Sequence, residues 1–353
     1  MLLWVKKIFN RLFSEKIKEK LRNKFKKIFI YIDRRLIYKE YLKASRYLLR
    51  QKIYGYQGEG YYNYHKDNFL KSIKKEYIRF GVINAHIPIR DKEMEQAIEY
   101  VKENGPDIYC GSLDGIHIYD EGNIGYDETN MLYYGIYEGK RLYFDRKIAT
   151  SEDALHALNG LAAEQSEHSP HRYLTEDFTV DSNDIVFDVG CADGNFALSI
   201  VDRVKEIYLF EIEESWMKPL ELTFAPYKDK VHIIKKCVSK NSDLAAVSID
   251  DFCEANNIES IGFVKMDVEG YEKNVLSGAK KMLTNNKIKR LAVCTYHKPD
   301  DEQTLGAMLP NYHKVMSEGY MIFALTQYIW DIKSPYLVKG LMRATLNCVE
   351  QDK

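Results

Sequence analysis

Short apolar runs alternate with helical patterns through the second half of the chain. Residues 185–187, 207–210, 231–234, 262–266, 290–295, 320–325 and 342–348 each have the length and composition of a buried strand, and most are separated by segments with helical spacing. This rhythm predicts an α/β fold with a seven-stranded, mostly parallel, Rossmann-like sheet. Upstream the pattern changes. Lys92 to Asn104 reads as a helix stopped by Gly105-Pro106. Met131 to Tyr137 and Lys140 to Asp145 alternate as strands joined at Glu138-Gly139, a hairpin signal. Ser151 to Ala163 reads as a helix with Ser151 as its N-cap. Ahead of Gly55 there is no Gly or Pro, and Val5, Phe9, Leu12, Phe13, Ile17, Leu21, Phe25, Ile28, Phe29, Ile32 and Leu36 fall on one helical face. The expected organisation is a basic amphipathic helical arm (1–54), an α+β region contributing substrate contacts and a lid (55–174), and the sheet domain (175–353). The glycine- and tyrosine-rich run Gly55–Tyr64 is the expected hinge after the arm.

Charge sharpens this division. The net charge of −1 conceals 17 Lys/Arg against 4 Asp/Glu in residues 1–52, a balance of +13 that leaves −14 for the rest. Such an arm is too charged to span a bilayer, and Lys6-Lys7 interrupts its only apolar start before a secretion signal could form. It suits an anionic membrane surface, or else packs on the acidic remainder of the same or a partner chain, or binds nucleic acid nonspecifically. A homo-oligomer is therefore an open alternative, and no specific nucleic-acid contact is expected. The composition, 45% hydrophobic and 29% charged, is that of a globular protein. The six cysteines show no Cys-x-x-Cys spacing, which points to reduced thiols in a cytoplasmic protein that associates with the membrane only peripherally, if at all.

Candidate chemistry begins where the first strand of the sheet ends. Asp188-Val-Gly-Cys-Ala-Asp-Gly194 is a strand, a glycine turn and a helix start, the nucleotide-binding half of an open α/β sheet. Its Gly-x-x-x-Gly spacing lacks the third glycine of the dinucleotide fingerprint and the lysine of a P-loop. A nucleoside without a pyrophosphate fits better, and S-adenosylmethionine is such a ligand. Glu211 ends the next strand 21 residues after Gly190, at the offset of an acid that accepts from ribose hydroxyls. Asp188, Gly190, Asp193, Gly194, Glu211 and Ile212 are the expected cofactor contacts.

Two later strand ends add reactive groups. Lys265-Met-Asp267-Val-Glu269-Gly-Tyr-Glu272 crowds a lysine and acids at the end of a buried strand, where charge must pair or bind something. Cys294-Thr-Tyr296-His297 places a histidine, whose ordinary pKa suits proton transfer near neutrality, at a neighbouring strand end. His297 is the expected general base, with Asp267 or Glu269 orienting it or the substrate and Lys265 holding an acid or an oxyanion. Asp267 equally suits contact with the cofactor. His171 and Arg172, from the polar segment Glu164–Leu174, and Tyr296 are expected to touch substrate. Two acids and a histidine also have the composition of a metal site, but Lys265 beside them would repel a cation, so no metal is expected.

Together with Ser248-Ile-Asp-Asp-Phe252, these motifs resemble the FkbM-type S-adenosylmethionine-dependent O-methyltransferases across roughly residues 130–325. The Lys-x-Asp-x-Glu-Gly motif is the most specific part of the likeness. The resemblance implies a class I methyltransferase sheet and methylation of a hydroxyl, here expected on a saccharide or glycan precursor. The alternatives weighed against it are a nicotinamide-dependent Rossmann oxidoreductase and a binding protein that retains the fold without turnover.

Overall fold

The computed structural model describes residues 75, 78–79, 81–83, 89–322 and 336–347. The chain divides into two compact units between Phe80 and Gly81, and nearly all of the described residues belong to the second. The expected arm and the hinge at 55–64 lie outside the described residues.

The second unit begins with α1 (Lys92–Asn104), whose N-cap Asp91 accepts from the Met94 N–H and whose end is turned by Gly105 at φ 87°. A three-stranded antiparallel sheet comes next: β1 (Ile124–Asp127), β2 (Leu132–Tyr137) and β3 (Lys140–Tyr143). Its hairpin turns at Glu138 and Gly139, both with positive φ, where the sequence placed it. Helix α2 (Ser151–Glu164) packs Leu158 into the space left by Gly135 of β2. Its N-cap is Thr150, one residue before the expected Ser151, because the Thr150 side chain accepts from the Asp153 N–H.

The main sheet then forms from β4 (Ile185–Val189), β5 (Glu206–Phe210), β6 (Val231–Ile234), β9 (Ile261–Met266), β10 (Ile288–Cys294), β11 (Tyr312–Met316) and β12 (Leu341–Leu346). The spatial order is β11-β12-β10-β9-β4-β5-β6, with β12 antiparallel to both neighbours and β10, β9, β4, β5 and β6 paired in parallel. The helices between them are α3 (Asn195–Ile200), α4 (Glu214–Phe224), α5 (Ile249–Ala255), α6 (Glu272–Gly278), α7 (Lys280–Thr284) and α8 (Asp301–Ala307). A small parallel pair, β7 (Cys237–Val238) and β8 (Ala246–Val247), completes the unit.

Seven strands are expected and seven form, but one is displaced. The described part of the apolar run, residues 320–322, forms no ladder strand: Met321 makes a single bridge to Val338. The edge place belongs to β11, whose His313, Lys314 and Val315 are exposed. An edge strand buries little, so its sequence lacks the apolar run that marks the interior strands.

Side chains alternate along β4, sending Val186 into one core layer and Phe187 and Val189 into the other, so both faces of the sheet are covered. The first layer also contains Tyr137, Leu142 and Leu158 from the α+β region. The division expected at residue 175 therefore marks no break in packing: the hairpin and α2 are built into the core of the sheet domain.

Candidate active site

Strand β4 leads to β5 on one side, while its other neighbour, β9, arrives after two further crossovers. The loops after β4 and β9 therefore face each other at a topological switch point, where open α/β sheets take their ligands. The two loops also touch. Gly190 has φ 74°, and a Cβ there would collide with the backbone carbonyl of Asp267. The Asp267 N–H in turn donates to the Val189 carbonyl at 3.0 Å. The space a side chain would need at Gly190 is filled by the chain's own backbone. Gly194 likewise makes room for Phe224 and Leu220 of α4.

At the end of β5, Glu211 gathers this side of the crevice. Its Oε1 accepts from the Ile212 and Glu213 N–H groups at 2.7 and 2.8 Å, and its Oε2 accepts from Ala192 at 3.0 Å. A carboxylate has about four acceptor positions, so Oε2 keeps capacity for one more donor. Beside it the apolar Ile212 side chain is 53% exposed. A spare acceptor next to an exposed apolar surface fits a nucleoside. Asp193 is buried, and burial pushes its carboxyl up to about 7. Asp188 lies deeper, wholly buried, with Lys265 Nζ at 3.1 Å from its Oδ1. That ammonium also donates to the Gly190 carbonyl at 2.5 Å, clamping the glycine loop from below. Burial would lower the Lys265 pKa, but Asp188 and then Asp267 raise it, so the group stays charged.

Across the crevice Asp267 is the centre of a polar cluster. Its carboxylate accepts from Tyr173 Oη at 3.2 Å and Tyr296 Oη at 3.2 and 3.3 Å, with His171 Nε2 at 3.3 Å and His297 Nε2 at 3.5 Å. Burial would raise its pKa, but the hydrogen bond and charge of His171, followed by Lys265 and His297, hold it far below the usual carboxylate range. His297 Nε2 is also 3.5 Å from Glu269 Oε2, and its Nδ1 meets Glu272 Oε1 at 2.9 Å. Burial would lower the pKa of this imidazole; Glu272, Asp267 and Glu269 overcome that and raise it. Glu269 is a non-glycine residue at φ 53°, a strained backbone of the kind that gathers at functional sites.

The structure thus brings together His171, Lys265, Asp267, Glu269, Tyr296 and His297 from the expected set, with Glu211, Ile212 and the glycine loop opposite. Arg172 stands apart. Its side chain lines an open groove with Leu174, Thr175, Glu176, Thr179 and Arg203. Four participants are not singled out by the sequence: Tyr109, Glu164, Tyr173 and Glu272. Tyr109 donates to Glu164 at 2.7 Å, and Glu164 stands 4.0 Å from His171 Nδ1. Tyr173 and Glu164 belong to the polar segment expected to form a lid, and Glu272 closes the motif that begins at Lys265, so a signal exists for three of the four. Tyr109 carries none.

Asp267, Glu272 and His297 offer ligand atoms within 4.8 Å of one another, as do His171, Asp267 and Cys294. In the first group His297 Nδ1 and Glu272 Oε1 form an ion pair at 2.9 Å.

Residues 197–320 match the model of the methyltransferase FkbM domain. No curated protein matches the chain. Among solved structures, it is similar to methyltransferase FkbM from Methylobacillus flagellatus KT at 14% identity and a TM-score of 0.38, covering 72% of this chain and 62% of that one. This chain thus spans under two thirds of that protein's length. It is also similar to an rRNA methylase from Streptococcus thermophilus (14% identity, TM-score 0.32, 47% of this chain and 89% of that one). A Streptococcus mutans protein solved in complex with SAH gives 18% identity and a TM-score of 0.30 over 47% of this chain and 91% of its own.

Proposed function

We propose, from the premise that residues 197–320 form a methyltransferase FkbM domain, that this chain is an S-adenosylmethionine-dependent O-methyltransferase acting on a hydroxyl of a saccharide or glycan precursor. The observation that carries the reading is the cluster around Asp267 and His297, set directly across the switch point from Glu211 and Ile212. When bound, the cofactor supplies a methyl group on a sulfonium, already activated for displacement. Glu211 and Ile212 would hold its nucleoside, and the clamp of Lys265 on Gly190 fixes the loop between them and the acids.

The protein's remaining task is to align a hydroxyl oxygen and take its proton. Alignment is assigned to Asp267, Tyr173 and Tyr296, whose oxygens can exchange their mutual hydrogen bonds for ones to a polyol. His297 Nε2 would take the proton of the hydroxyl whose oxygen accepts the cofactor's methyl group. Alignment supplies a large share of the rate, and the base adds about 10²–10⁴-fold. A site rich in phenols and carboxylates suits a neutral, hydroxyl-bearing acceptor. The basic arm supports a place at an anionic membrane surface, where glycan precursors on lipid carriers would be within reach.

The test is incubation with methyl-labelled S-adenosylmethionine and a panel of neutral mono- and oligosaccharides, then mass spectrometry for an O-methyl product. Thermal shift runs alongside: S-adenosylhomocysteine at 100 times its Kd should stabilise the protein by about 2.7 kcal/mol, with no response to NAD. Stabilisation by NAD alone would favour the oxidoreductase reading. Cofactor binding without label on any hydroxyl would favour a binding protein.

A further inference from the structure

We infer that Glu272 is the positioning residue for His297, fixing which ring nitrogen carries the proton; the inference rests on the reading of His297 as the base. Glu272 opens α6 and is wholly buried, although a lone buried carboxylate is costly. Its Oε1 accepts from the Val268 and Gly270 N–H groups at 3.2 and 3.3 Å and meets His297 Nδ1 at 2.9 Å. Two backbone donors and the start of a helix therefore hold the carboxylate in one orientation. Against the burial that would raise its pKa, His297 and then the Glu272 and Val268 N–H groups lower it, so it stays an ion.

At 2.9 Å from an ionised carboxylate oxygen a bare Nδ1 lone pair would be repelled, so the hydrogen belongs on Nδ1. A neutral imidazole carries one N–H, which leaves the lone pair on Nε2. That nitrogen faces the gap between Asp267 Oδ1 and Glu269 Oε2, each at 3.5 Å. A proton arriving at Nε2 is met by two carboxylates, while Nδ1–H remains held by a third. Among the described residues, charged groups near His297 also include Asp301 of α8, pushed up to about 6 chiefly by burial, and Lys298, whose ammonium is turned to the Gly270 carbonyl. The Tyr296 ring, 4.2 Å away between centroids, limits rotation of the imidazole. Neither acid named from the sequence as the orienting group makes so short a contact; both stand at the proton-accepting nitrogen instead.

The experiment monitors the imidazole nitrogens of the full-length protein by heteronuclear NMR, with His297 assigned from signals lost in His297→Gln. Above its pKa, parental His297 should show the Nδ1–H form. Observation of the Nε2–H form in the parent would overturn the inference without any variant. In Glu272→Gln, the His297 pKa should fall by about 1–3 pH units, as for loss of a close opposite charge, and the Nε2–H form should gain population. Glu272→Asp should restore the parental tautomer in part. An unchanged tautomer and pKa in folded Glu272→Gln would leave Glu272 merely structural. The reading beneath is tested separately: a His297→Gln protein with the parental rate of methyl transfer would remove the base while the tautomer result stood.

Discussion

A carboxylate that accepts from two phenols must stay ionised to hold both, and Asp267 does so because His171, Lys265 and His297 together outweigh its burial. Stability and pH are linked here with two signs. His297, raised above its ordinary value, contributes stability that is complete below about pH 6.5 and lost as pH rises through its own higher pKa. Asp267 and Glu272, both lowered, contribute stability present above their ordinary values near 4 and lost as pH falls through the depressed ones. The contributions overlap between about pH 4.5 and 6.5, so the thermal midpoint should be highest there. The rate should behave differently, rising with pH through a value above about 6.5 as the imidazole loses its charge and Nε2 can accept a proton. Midpoints and initial rates measured across pH 5–9 check this, and a rate that falls over that range would contradict a neutral imidazole as base. His297→Ala should lower the rate by about 10²–10⁴-fold while leaving the affinity for S-adenosylhomocysteine, measured calorimetrically, near that of the parent.

Elements differ in how clearly the sequence announces them. The hairpin at Glu138-Gly139, α1 and the interior strands are legible because each carries its own signal: positive-φ turn residues, a cap and stop, or an unbroken apolar run. Strand β11 is not, since an exposed edge needs no such run, and β1 escapes notice because Ile124-Gly-Tyr-Asp127 is too short to show a period. The site is legible where residues cluster in one motif, as from Lys265 to Glu272. Tyr109 reaches it only through tertiary contact with Glu164, which no local pattern reports. The glycine loop yields the clearest test at this scale. Because the space at Gly190 is taken by the Asp267 carbonyl, Gly190→Val should lower stability by more than about 1–3 kcal/mol and displace the acid as well as the loop. Glu211→Ala, by contrast, should weaken S-adenosylhomocysteine binding at least as strongly as it destabilises. Urea titrations beside calorimetry separate the two; equal effects on both quantities in both variants would dissolve the distinction.

Over the whole molecule, the charge division between residues 1–52 and the remainder makes a prediction of its own. Full-length protein should sediment with vesicles of anionic lipid and not with neutral ones, each basic residue near the surface contributing about 1 kcal/mol, and salt should weaken the binding. Indifference to anionic vesicles at low salt would return the arm to a role within the protein or between copies. Among the described residues no helix is long and apolar enough to cross a membrane. The C-terminal strand, meanwhile, reaches both sides of the Asp267 cluster. Arg343 of β12 donates to the Arg172 and Tyr173 carbonyls, holding the segment that carries His171, while the carbonyls of Lys339 and Gly340 accept from Thr295, two residues before His297. Synthesis therefore sets an order. A nascent chain can assemble β4, β5 and the glycine loop early, but the cluster that would do the chemistry has no frame until residues 339–346 leave the ribosome. A growing polypeptide at that stage would hold the parts of a methyl-donor site with the acceptor side still unbuilt.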